Sequence, residues 1–126
     1  MSRVAAVLLL ALFSGRAPAH HSFAAFEMDK TLEVRGTVSK YEWTNPHVWI
    51  WITPESGGNE FGVEAHAVSS MVRTGWSRDS LKVGDKVVIL VHPRKDGGLA
   101  GSIISAALAN GTPVPAQSPA FNPPPQ

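Results

Sequence analysis

The sequence predicts a small all-β barrel, and three observations carry that prediction. From Pro46 to Ile52 the residues alternate strictly, with Val48, Ile50 and Ile52 on one side and His47, Trp49 and Trp51 on the other. That is the period of a strand buried on one face. Four more extended runs are separated by turn-forming clusters, with one short helical stretch between the third and the fourth. The first run is long and carries Gly36 at a core position, the kind of bulge or bend with which a small barrel turns its corner. This element order is that of the five-stranded Greek-key OB barrel, whose helix lies between strands three and four. A small antiparallel sandwich is the alternative arrangement of the same elements.

The first strand is expected over Thr31 to Trp43, with Leu32, Val34 and Val38 on one face and Glu33, Arg35, Thr37 and Ser39 on the other. Asn45-Pro46 breaks it, because proline restricts the residue before it and cannot donate to a ladder. His47 to Thr53 is the second strand, Pro54 to Asn59 a turn, and Glu60 to Ala67 the third strand, with Phe61, Val63 and Ala65 inward. Val68 to Gly75 reads as one or two helical turns closed by glycine. A connection follows to the fourth strand, Lys86 to His92, and Pro93 to Gly98 turns the chain into the fifth, Leu99 to Leu108.

The ends read differently. Met1-Ser2-Arg3, the apolar run Val4 to Phe13 and Ala17-Pro18-Ala19 form the three-part pattern of a cleaved secretory signal over residues 1–19. A buried N-terminal helix is the bland alternative. The run is too short to span a bilayer, so no transmembrane segment is expected after cleavage. Residues 20–30 are an N-terminal segment without a clear period, 31–111 the barrel, and 112–126 a proline-rich tail expected to be disordered.

Among 126 residues there is no cysteine, which excludes disulfides, thiolate metal sites and cysteine lipidation. The formal charge is +1, and cleavage after Ala19 removes Arg3 and Arg16 and no acid. A near-neutral mature chain argues against nucleic acid as a partner.

Candidate chemistry gathers on the outer side of the second and third strands. Placing both aliphatic rows in the core fixes the parity of that hairpin. The simplest register then sets Trp51 against Gly62, Trp49 against Glu64, and His47 against His66. Two opposed imidazoles could share one metal ion, with Glu64 as a ligand or an orienting partner. Cleavage after Ala19 would also give His20 a free amine beside its own imidazole, with His21 adding a further nitrogen. Such donors suit Cu(II), and Zn(II) is the alternative. A third ligand from His47, His66 or His92 would make a site resembling the histidine brace of secreted copper proteins.

Trp49 and Trp51, with Trp43 near them in sequence, offer a rival use of the same face. They could form a stacking platform for a small organic ligand or an envelope protein partner. Little points to an enzyme. The serines near histidines lack nucleophile-elbow glycines, no spaced carboxylate pair stands out, and the paired glycines fall in hairpin turns.

Several stretches together resemble a family of exported bacterial proteins known as a domain of unknown function. They are His20-His21-Ser22-Phe23, Gly36-Thr37-Val38, Trp43-Thr44-Asn45-Pro46-His47-Val48-Trp49, Gly75-Trp76, Leu81-Lys82-Val83-Gly84-Asp85 and Lys95-Asp96-Gly97. The likeness spans nearly all of His20 to Leu108 and implies a periplasmic protein of the Gram-negative envelope, with no activity or ligand attached. The chain departs from that pattern in its proline-rich tail and in Glu64-Ala65-His66-Ala67, where the family would place a tryptophan-containing strand. The expectation is thus a periplasmic, non-enzymatic OB-like protein binding Cu(II) or Zn(II) through His20, His21, His47 and His66.

Overall fold

Strand β1 (Leu32–Glu42) serves two neighbours at once, and the sheet curls around it. In the computed structural model, which describes residues 21–118, its first half pairs antiparallel with β4 (Lys86–Pro93), from Leu32↔Val91 to Thr37↔Lys86. Its second half pairs with β2 (Trp49–Pro54), from Gly36↔Pro54 to Glu42↔Trp49. β2 continues to β3 (Phe61–Glu64), and β4 to β5 (Ala100–Leu108). β3 and β5 then meet in parallel at Gly62↔Ala100, Val63↔Gly101 and Glu64↔Ser102. That pairing closes a five-stranded barrel, as the element order predicts, and leaves no room for the sandwich alternative. The short helix α2 (Val68–Arg73) falls between β3 and β4. No helix among the described residues is long and apolar enough to cross a membrane.

The interior is aliphatic. Val48, Ile50, Ile52, Val63, Ile89 and Val91 are each 0% exposed, and Met71 of α2 joins the same cluster. Close approach at the crossing of β1 and β2 requires Gly36. A Cβ there would run into the Thr53 carbonyl oxygen and lie 2.6 Å from Ile52 Cγ2. The bulge itself is not at Gly36, however. The register shifts between Val38 and Lys40, leaving Ser39 as the extra residue. This reverses the alternation, so that Val34 and Val38 face inward before it while Tyr41 and Trp43 pack against the core after it.

Two peripheral pieces complete the molecule. The N-terminal segment begins with a single turn, α1 (His21–Ala24), and then runs along the end of β4. The Lys95 N–H donates to Ala25 O (3.0 Å), the Glu27 N–H donates to Pro93 O (2.9 Å), and Phe26 bridges Arg94. At the other end, the segment expected to leave the fold at residue 112 instead contributes β6 (Pro113–Val114), paired with Ala106 and Ala107 of β5. A proline is tolerated there because β6 lies at the sheet edge, where its missing N–H costs no ladder bond. Val114 is also buried in the core, so burial draws the chain back. Residues 1–20 and 119–126 lie outside the described residues, and with them the expected signal, His20 and the end of the tail. The side chain of His21 is likewise not described.

Candidate functional site

The register carries one row of side chains around the outside of the barrel. Trp49 of β2 pairs with Glu64 of β3, Glu64 with Ser102 of β5, and Ser102 with His92 of β4. Paired residues point to the same face of a sheet, so this row is continuous across four strands. Beside it opens a cleft of about 200 Å³ whose lining includes Phe23, Phe26, His47, Glu64, His66 and Ser102.

Two of the lining residues pair directly: His47 Nδ1 lies 2.5 Å from Glu64 Oε1, with the carboxylate the more buried partner. A carboxylate on one ring nitrogen orients the imidazole and leaves Nε2 as the ligating atom, the usual arrangement behind a metal-bound histidine. Arg94, which also feels the charge of Glu64, has Asp96 as its direct partner. Arg94 is clamped onto Asp96 through Nε (2.9 Å) and a terminal nitrogen (2.6 Å), and that pairing holds the Asp96 carboxyl well below the usual carboxylate range.

The predicted register holds from Ile52↔Phe61 through Trp49↔Glu64 and then departs from expectation. Val48 accepts a hydrogen bond from the Ala65 N–H (2.8 Å) but donates to His66 O (2.9 Å). Two residues therefore face one, a bulge-like count that ends β3 early and displaces His66 from the position opposite His47. His66 is exposed and lines the cleft, but the direct His47–His66 opposition does not form. Among the described residues no three His, Cys, Asp or Glu side chains gather as a metal cluster. His92, also considered as a ligand, donates its Nδ1–H to Lys30 O (2.8 Å).

Asn45 has a role that the sequence reading missed. Its Oδ1 accepts the Val68 N–H at 3.1 Å, supplying the start of α2 with the cap that Ala67 lacks. This bond ties the Asn45-Pro46-His47 turn to the helix. A helix preceded by alanine, with an asparagine stranded before Pro-His, was the available signal.

The tryptophans divide into two groups. Trp49 and Trp51 stack on the outer face, with centroids 5.5 Å apart and planes at 16°. They lie over Gly62, where a Cβ would come 3.0 Å from Trp51 Cζ3 and 3.2 Å from Trp49 Cζ3. The Trp51 indole N–H donates to Glu42 Oε2 (2.7 Å), and Lys40 Nζ sits 2.6 Å from Glu42 Oε1. Those two donors, Lys40 first, hold the Glu42 carboxyl below its ordinary range. Trp43 does not join the platform. It meets Tyr41 edge-on (5.9 Å, 61°) against the core, and burial pushes the Tyr41 phenol up while its O–H donates to Ser77 O.

A family model described as a family of unknown function, DUF6152, matches residues 7–103. No curated protein matches the chain. Among solved structures, it is similar to the mitochondrial single-stranded DNA-binding protein Rim1 of S. cerevisiae, at 14% identity and a TM-score of 0.44, over 64% of this chain and 94% of that one.

Proposed function

The chain belongs to that family of unknown function, and we propose that it is a periplasmic, non-enzymatic binding protein whose cleft holds Cu(II), with Zn(II) the weaker fit. His47 supplies Nε2, Glu64 orients it, and His20 and His21 bring the amine and imidazole nitrogens of a mature N-terminus beginning at His20. His66 stands at the mouth as a further donor. One observation carries this reading. Phe23 lines the same cleft as the His47–Glu64 pair, and His21 and His20 lie only two and three residues ahead of it. Three residues span at most about 11 Å, within reach of the cleft. A nitrogen-rich donor set favours Cu(II).

The test is a Cu(II) titration of the chain beginning at His20, by calorimetry and EPR, beside a chain that retains Ala19 and a His47→Ala variant. Nitrogen-rich binding is expected in the first. It should weaken at least about tenfold in His47→Ala and more when Ala19 blocks the amine. Acid should release the metal as the donor nitrogens protonate. Binding no tighter than about micromolar in every sample would retire the metal reading.

The stacked, part-exposed Trp49–Trp51 pair supports a second reading, a platform for a small organic ligand or an envelope protein. Quenching of tryptophan fluorescence by such a ligand without metal, insensitive to acid, would favour it over the first.

A further inference from the structure

A second opening lies away from the histidines, where β2 parts from β1. This pocket encloses about 450 Å³, within the roughly 300–1,000 Å³ of small-molecule sites. Buried Val34 and Phe61 line it beside Leu32 and Leu99, which are 41% and 54% exposed. Residues of the 54–59 turn form a further wall. The walls are tied together, since the Gly62 N–H donates to Leu99 O (3.0 Å) and the Glu55 N–H to Arg35 O (3.0 Å).

One charged group at the pocket is only partly used. Arg35 Nε donates to Glu33 Oε1 (2.5 Å), and no hydrogen bond among the described residues takes its terminal nitrogens. Arg94, by contrast, commits both Nε and a terminal nitrogen to Asp96. The backbone adds a donor on the same side. The Val38 N–H donates to Asp85 O (2.9 Å), beside the ladder with β4. An antiparallel ladder alternates sides from residue to residue, so Glu33 and Arg35 turn their backbone groups away from β4. β2 begins to pair only at Gly36↔Pro54, and no strand pairs with that side of Glu33.

We propose that this pocket binds a small aliphatic carboxylate, with its hydrocarbon body between Leu32 and Leu99 over Phe61 and its head on the Arg35 guanidinium. None of His47, Glu64 or His66 lines it, so the site is independent of the metal reading. A guanidinium fork with free terminal N–H groups matches a carboxylate, which accepts two parallel bonds. The Glu33 carboxylate, already spent on Arg35, offers a cation less. The open edge of β1 is short and carries a charge pair, features that discourage an added strand. A small molecule therefore suits the enclosed volume better than an extended peptide.

The experiment titrates the chain from His20 to Gln126, which contains every described residue, with octanoate, octanol and octyltrimethylammonium in the absence of metal. Calorimetry gives affinity, and the methyl NMR signals of Leu32 and Leu99 give location. Octanoate should shift both signals and bind about tenfold more tightly than octanol, the worth of one charge-assisted contact. Hexanoate, shorter by two methylenes, should bind roughly tenfold more weakly than octanoate. Arg35→Gln should bring octanoate down to the affinity of octanol, and Leu99→Ser should weaken both ligands. His47→Ala should leave octanoate binding unchanged, so failure of the metal reading would not touch this site. Octanoate that leaves the two leucine signals unmoved would overturn the proposal. Octyltrimethylammonium binding as tightly as octanoate would give the head group to Glu33 and overturn it too. Leucine signals that move with protein concentration alone would assign the pocket to a second copy. Signals that move on removal of residues 119–126 would assign it to the chain's own tail, and either result would overturn the proposal.

Discussion

Along β2 and the two residues that lead into it, Val48, Ile50 and Ile52 face inward and are each 0% exposed, whereas His47, Trp49 and Trp51 face outward and keep part of their surface in water. The inner row is uniform and interchangeable in chemistry. The outer row is individual, since His47 is held by Glu64, Trp51 by Glu42, and both indoles rest on Gly62. A one-residue slip of β2 would exchange the rows and bury the imidazole. The aliphatic side therefore fixes where the outer groups stand without touching any of them. One stretch of chain specifies the fold on one side and leaves the other free for individual contacts.

The widest gap between the two faces should appear on truncating the inner row. Ile50→Ala is expected to destabilise the fold by about 2–5 kcal/mol in urea unfolding, while the Cu(II) affinity of the folded fraction stays within about threefold of the parent. A loss well under 1 kcal/mol would mean that the barrel interior relaxes more than its packing implies. Next in size is Gly62→Val, which thrusts a branched side chain under the Trp49–Trp51 pair. Overpacking there should cost about 1–3 kcal/mol and abolish the near-UV circular dichroism of the stacked indoles; an unchanged signal would show that the rings do not depend on that gap. The smallest effect belongs to Glu42. Because its folded carboxyl titrates below the unfolded one, its contribution is complete above the ordinary carboxylate range and disappears as pH falls through the lowered folded value. Acidification across that window should shift Trp51 emission as its hydrogen bond is lost, and Glu42→Gln should flatten the profile.

The barrel was legible in the sequence because hydrophobic alternation and turn residues are local signals. They placed five strands, the helix and the pairing of Trp49 with Glu64. Gly36 marked a real constraint, yet the bulge lies at Ser39. The inward-facing set passes from Val38 to Tyr41, a change of phase that the alternation from Leu32 to Ser39 does not announce. The His47–His66 opposition failed where strand geometry itself stops, at the paired hydrogen bonds of Val48. No periodicity could report that. The course of the N-terminal segment was illegible for a different reason: its place depends on Phe26 and on bonds to Pro93 and Lys95, partners remote in sequence, and it has no pattern of its own. Likewise, proline content suggested a free tail, while Val114 followed its burial instead.

The parallel junction of β3 with β5 also bears on the order in which the molecule can assemble. Glu64 and Ser102 face each other across it, although β4 and the whole α2 connection lie between them in the chain. Contacts between such distant segments are formed at high entropic cost and characterise slow, all-β folding. The cleft straddles that seam, so its walls come together only when the barrel closes. A nascent chain emerging without β5 would have β2 and β3 but no cleft.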